Sequence, residues 1–189
     1  MSELRQDGVY IFSTDTVYGL GCALSNQAGI ARIFAIKGRR SDKPLAVLVA
    51  DIAQADELAA WPTPLYREPV AALWPGALTV VVPAQAQVPD LVRAGFPTVG
   101  IRCPQHPALQ AILRAQGPWV ASSVNRSGDA PMNDPDLIRS SFYGEVDGFW
   151  FSDPKPNGKA STVLDLTVVP PKLLRAGAMD VAGLIQQFS

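Results

Sequence analysis

The chain has 189 residues, 48% of them hydrophobic and 17% charged, with a formal net charge of -1. That length and composition predict one globular domain with a substantial core and exclude a disordered chain. The near-neutral charge and a pI near 5.8 argue against a general polyanion binder, because nucleic-acid-binding domains are usually basic. No apolar run reaches the length of a membrane span.

Residues 1–7 lack a basic segment followed by an apolar one, so no secretory signal is expected. Residues 9–12 read as a strand. Ser13-Thr-Asp-Thr-Val-Tyr-Gly-Leu-Gly21 follows and reads as a loop. Hydroxyls at Thr14 and Thr16 and flexible glycines at Gly19 and Gly21 would let a small polar ligand approach the backbone. A turn with a helix cap uses the same residue types. Residues 27–37 read as a helix with Ile30, Ile33 and Phe34 on one face. Next come an apolar strand at 45–50, helices at 51–60 and 65–73, and strands at 78–82 and 98–102. A helix at 107–116, a strand at 118–122 and a helix at 135–142 follow. Strands at 148–151, 162–166 and 172–175 and a short helix at 180–188 complete the order. The alternation predicts an α/β protein: a single domain with one mixed sheet flanked by helices. Wholly apolar strands such as 45–49 and 79–82 fit a sheet covered on both faces. Ligands in such folds sit beyond strand ends, where loops deliver polar groups.

Cys22 and Cys103 have no metal-site spacing and read as two free thiols of a cytosolic protein. The single histidine, His106, stands before Pro107 at a helix start and has no evident partner for chemistry.

Four cations, Lys37, Arg39, Arg40 and Lys43, fall within seven residues. On a near-neutral chain they point to a localised anion such as a nucleotide polyphosphate, although cations after a helix also complement its dipole. Lys43-Pro44 leads directly into a strand, which pins the loop. Ser123 and Asn125 project to one face of the strand at 118–122 as it ends, offering neutral donors and acceptors. Asn157-Gly-Lys-Ala-Ser-Thr162 fails the phosphate-loop pattern at Asp153 and Ala160. Arg102 and Arg175 each stand at a strand end and suit carboxylate or phosphate. The sum is a pocket of hydroxyls and guanidinium groups without a nucleophile–base pair, a metal cluster or paired carboxylates. That profile fits phosphoryl or nucleotidyl transfer by positioning and charge stabilisation.

Seven motifs carry a resemblance: residues 13–21, Lys-Gly-Arg with Lys-Pro-Leu (37–45), Trp-Pro-Gly-Ala-Leu-Thr (74–79), Gly-Ile-Arg-Cys-Pro-Gln-His-Pro (100–107), Ser-Val-Asn-Arg-Ser-Gly (123–128), Ser-Thr-Val-Leu-Asp-Leu (161–166) and Leu-Leu-Arg-Ala-Gly-Ala (173–178). In this order, across nearly the whole chain, they resemble the YrdC-like family. The resemblance implies a twisted mixed sheet with a concave ligand groove. It implies a nucleotidyltransferase that converts L-threonine, bicarbonate or CO2, and ATP to L-threonylcarbamoyladenylate and pyrophosphate, for modification of adenosine 37 of tRNA. By motif, Thr16, Arg102, Ser123 and Ser161 would contact threonine. Lys37, Arg39, Lys43, Thr98, Asn125, Asn133 and Arg175 would contact ATP or the adenylate, with Lys37 and Arg39 spreading the developing charge. Mg2+ would be held mainly by the phosphates. Downstream tRNA threonylcarbamoyl-transfer proteins would be partners, in the cytoplasm and away from membranes. The short stretch after residue 178 implies the single-domain form, spanning 1–189.

Three positions depart from the family pattern: few residues precede Val9, Ser13 stands where proline is common, and Leu48 stands where some relatives carry histidine. Leu48 would shift recognition of the threonine hydroxyl to Thr16 and Ser161. The alternatives are a double-stranded RNA-binding or ribosome-maturation module with a weak RNA contact, and a divergent paralogue without synthase activity. The low pI opposes the first. The presence of both Lys37/Arg39 and Ser123/Asn125 opposes the second.

Overall fold

A computed structural model describes residues 4–188; the opening three positions of the segment read for a leader lie outside it. The elements run β1 (Tyr10–Phe12), β2 (Gly19–Ala23), α1 (Gln27–Lys37), β3 (Ala46–Leu48), α2 (Ile52–Leu58), α3 (Pro64–Leu73), β4 (Leu78–Pro83), α4 (Asp90–Arg93), β5 (Thr98–Arg102), α5 (Pro107–Gln116), β6 (Trp119–Ser123), α6 (Pro135–Phe142), β7 (Gly148–Trp150), β8 (Thr162–Asp165), β9 (Lys172–Arg175) and α7 (Ala182–Gln186). Local signals set most helix starts. Asn26, Asp51, Thr63 and Asp134 each accept a first-turn N–H, and α3, α5 and α6 open with proline.

The strands form one mixed sheet in the order β7-β1-β2-β6-β3-β5-β4-β8-β9. β1–β7, β3–β5 and β4–β8 are parallel, and the other neighbouring pairs are antiparallel. One face buries Leu20, Cys22, Val47, Val80, Val82, Val99, Ile101, Val120 and Leu164 in the same core as Ile30, Ile33 and Phe34 of α1 and Ala55, Leu58, Tyr66 and Val70 of α2 and α3. A second, smaller core joins Phe12, Leu48 and Trp119 to Leu109 and Leu113 of α5. The apolar strands predicted a sheet covered on both faces. The second face is covered only in part, and the uncovered part is a groove.

Two sequence expectations are corrected here. The second half of the segment read as a flexible ligand loop is strand β2, with Gly19 and Gly21 buried inside it. Its glycines answer to packing. A Cβ at Gly21 would stand 2.2 Å from the Val120 carbonyl oxygen, and one at Gly19 would stand 2.9 Å from the Phe12 ring. The four-residue α4 was also unforeseen, since it is too short to show a helical period.

Cys22 and Cys103 are free and buried. Burial pushes their thiols up to about 12 and about 11, so neither is poised as a nucleophile. Among the described residues no helix is long and apolar enough to cross a membrane.

Candidate active site

The groove encloses a cavity of about 340 Å³ over the uncovered sheet face. Strand register explains its floor. Gly21, Ala121, Ala46, Gly100 and Val81 are paired in one row across β2, β6, β3, β5 and β4. The next row reads Leu48, Arg102, Thr79, Val163 and Arg175 across β3, β5, β4, β8 and β9. Period-two alternation sends these side chains to the groove and the larger aliphatics between them to the core. A floor of small residues thus lies beside a polar row.

Of the residues singled out from the sequence, Thr14, Thr16, Gly19, Arg39, Thr98, Arg102, Ser123, Ser161 and Arg175 line this cavity together. Arg102 is 6% exposed. Its Nε donates to the Gly76 carbonyl oxygen (3.1 Å), Nη1 to Thr16 Oγ1, and Nη2 to Asp15 Oδ1 (2.6 Å). Two of the five guanidinium N–H groups remain for a ligand. Burial lowers its pKa and the Asp15 carboxylate opposes that fall; the side chain remains a cation throughout the working range.

At the far side of the row, Arg175 Nη2 donates to Ser161 Oγ (3.0 Å) and Nε to the Ser161 carbonyl oxygen (3.0 Å). Ser161 Oγ lies 2.8 Å from Thr79 Oγ1. Burial lowers the pKa of Arg175 as well.

The third cation is delivered by the end of α1. Gly38 takes φ 57°, and its N–H and that of Arg39 bond back to Ala35 and Phe34. This is the left-handed helix stop that glycine adopts readily. The turn separates two neighbours. Arg39 swings to the cavity wall, where Nη2 donates to the Pro44 carbonyl oxygen (2.8 Å) and Nε to that of Lys43 (3.2 Å). Lys37 turns inward and is 1% exposed. Its Nζ donates to Ser123 O (2.5 Å), Asn125 O (2.7 Å) and Asn125 Oδ1 (3.0 Å). Burial first, then the charges of Arg39 and Arg126, pull its pKa down to about 8. The three oxygens favour the ammonium form.

Lys37, Lys43, Asn125 and Asn133 do not line the cavity. Lys37 lies beneath the turn that carries Ser123. Asn125 is spent within that turn: Oδ1 accepts from Ser123 Oγ (2.6 Å) and from Lys37, while Nδ2 donates to Arg126 O and Asp129 O. Lys43 is exposed on the loop, and Asn133 lies against the turn at Gly158.

Sequence reading passed over two polar groups. Thr79 stands as a hydroxyl within the apolar run of β4, and that break in the pattern is its signal. Asp15 sits between Thr14 and Thr16, and only the fold brings it to Arg102. Among the described residues no carboxylate lines the cavity, and no group of His, Cys, Asp and Glu side chains is placed to hold a metal ion. The wall offers three guanidinium groups, a set of threonine and serine hydroxyls and a small-residue floor. Such a surface can bind an anion at two places and neutralise charge between them.

Known proteins share this fold. The family model Sua5/YciO/YrdC, described as telomere recombination, matches residues 2–177. The threonylcarbamoyl-AMP synthase of Bacillus subtilis is 36% identical over 178 residues, covering 93% of this chain and 51% of that protein. The structure of Pyrococcus abyssi Sua5 complexed with L-threonine superposes with a TM-score of 0.88 at 35% identity, covering 97% of this chain and 54% of that one. Escherichia coli YciO superposes with a TM-score of 0.85 at 25% identity, covering 95% of this chain and 87% of that one. The chain therefore spans about half the length of the first two. The match over residues 2–177 and the shared sheet establish that the chain belongs to the Sua5/YciO/YrdC family.

Proposed function

We propose that the chain is an L-threonylcarbamoyladenylate synthase, a nucleotidyltransferase acting on L-threonine, bicarbonate or CO2, and ATP. The observation that carries the reading is the pairing of Arg102, with two free N–H groups, and Arg39 on the wall of one small-floored groove. The names of the B. subtilis relative and of the threonine-bound P. abyssi structure support it.

Arg102 receives the amino-acid carboxylate, with Thr16, Ser123 and Ser161 around the rest of the molecule. Ser161 is aimed by Thr79 and Arg175. The free amine of threonine adds to CO2, giving a carbamate and releasing a proton. A carbamate oxygen then attacks the α-phosphorus of ATP in line. The bond to the β-phosphate oxygen breaks and pyrophosphate leaves with its electrons. Arg39, with Lys43 on the same loop, neutralises the departing charge, and Thr98 and Arg175 contact the nucleotide. Lys37 and Asn125 act from below by holding the Ser123 turn, and Asn133 by supporting the turn at Gly158. With no carboxylate among the described residues of this wall to ligate it, a magnesium ion would come on the phosphates of ATP as part of the substrate, with waters and substrate oxygens as its ligands.

The product is a mixed anhydride that water hydrolyses. A downstream tRNA threonylcarbamoyl-transfer protein must therefore consume it, to modify adenosine 37. The reading carries a cytoplasmic location and a single domain over 1–189. The test is pyrophosphate release by the purified chain. Release is expected only with L-threonine, bicarbonate and ATP together, and release indifferent to threonine would sink the synthase assignment.

A further inference from the structure

Most glycines of the groove-forming sheet have a reason inside the protein. Gly19 and Gly21 are fixed by the Phe12 ring and the Val120 carbonyl oxygen. Gly100 has no such reason. It lies mid-strand in β5, between Ala46 and Val81 on the neighbouring strands, and its φ is not in the left-handed region. A Cβ built on it meets a single atom, Thr79 Cγ2 at 3.6 Å, which is ordinary contact distance. Glycine within a strand is costly to fold stability, because it adds backbone freedom to the unfolded chain and packs no side chain. With neither conformation nor packing requiring it, the remaining physical reason is close approach of a ligand to the backbone.

Its place along the strand says which part of the ligand. Arg102 and Thr98 lie two residues to either side on the same face, each about 7 Å away by strand rise. Gly100 is therefore midway between the carboxylate end and the nucleotide end of the groove. From this, and resting on the synthase reading, we infer that Gly100 is a close-approach notch: its bare backbone seats the junction where the carbamate meets the α-phosphate of ATP. The two flanking side chains, Ala46 and Val81, form the shoulders of the notch. Crowding at the α-phosphorus rises as the fifth oxygen approaches. A methyl group at position 100 therefore opposes the transition state more than it opposes either bound substrate.

The variant Gly100→Ala tests this, with Gly183→Ala on α7 as a control whose added Cβ meets nothing. Without ligands, Gly100→Ala is expected to unfold at the wild-type temperature or above it. Its threonine-dependent pyrophosphate release is expected to fall about 100-fold. Its affinity for ATP alone, by calorimetry, is expected to fall by about 10-fold. Gly183→Ala is expected to match wild type in turnover and ATP affinity and, like Gly100→Ala, to unfold at the wild-type temperature or above it. Two results overturn the proposal: a drop in unfolding temperature of more than about 4 °C, which would make the glycine a requirement of the fold, or ATP affinity and turnover both falling short of those losses. If wild type binds ATP but releases no pyrophosphate, the synthase reading falls and the ATP affinity ratio decides the notch alone. No ATP binding by wild type overturns both.

Discussion

Arg39 and Arg40 are adjacent in sequence and opposite in circumstance. Arg39 is half-buried on the cavity wall, tied to the backbone of its own loop. Arg40 is exposed and paired with Asp42, an arrangement that contributes little in water. Arg39→Ala is expected to lower turnover about 100-fold, the usual effect of removing one preorganised donor from developing charge. Arg40→Ala should leave turnover within about 2-fold. Steady-state pyrophosphate assays of both variants decide the point, and equal losses would remove the specific phosphate geometry. Lys37 shows the limit of reading charge from sequence. Its place in a basic cluster and the family motif point it at ATP, whereas in the structure it is buried with three bonds to the Ser123–Asn125 turn. Nothing local distinguishes the two roles, because a one-residue step past Gly38 reverses the direction of the side chain.

At the scale of elements, helix α5 has a titratable cap. His106 is buried, its Nδ1 accepts the Leu109 N–H at 3.2 Å, and its Nε2 lies 3.5 Å from Ser152 Oγ. Burial, the largest cause, lowers its pKa below the ordinary 6.5, with hydrogen bonds and the charges of Asp15 and Asp153 opposing. A lowered value in the folded state means that the unfolded chain binds the proton more readily. The stability contributed is complete above 6.5 and is lost as pH falls through the folded value. Protonation also removes the acceptor that caps the helix. Urea unfolding between about pH 5 and pH 7 should therefore show stability rising with pH. His106→Asn keeps a capping acceptor and should flatten that rise; an unchanged slope would assign it to other groups. The placement of this histidine at a helix start was legible from His106-Pro107. The strand β2 was not, because its glycines are dictated by Phe12 and Val120, contacts between parts of the chain far apart in sequence.

At the scale of the molecule, one continuous sheet carries both cores. Trp74 is buried in the larger core and Trp119 in the smaller. Unfolding followed by tryptophan fluorescence and by far-ultraviolet dichroism should give coincident transitions, since neither core keeps a sheet face without the other. Separated midpoints would show that the strand pair β8 and β9 at one end of the sheet, or β7 and β1 at the other, unfolds as a unit of its own. Apart from β2 and α4, element identity, most helix starts and the α/β class follow from the chain by itself, because periodicity, prolines and caps act over a few residues. So do the residue types of the site: hydroxyls, three arginines and no paired carboxylates. Which of them meet was decided only by tertiary structure. Register across four strands places Arg102 beside Thr79 and Leu48 and lays Ala121, Ala46 and Gly100 in one row, and the loop between β1 and β2 brings Asp15 to Arg102. These pairings depend on hydrogen bonds between strands distant in sequence, and no local signal encodes them.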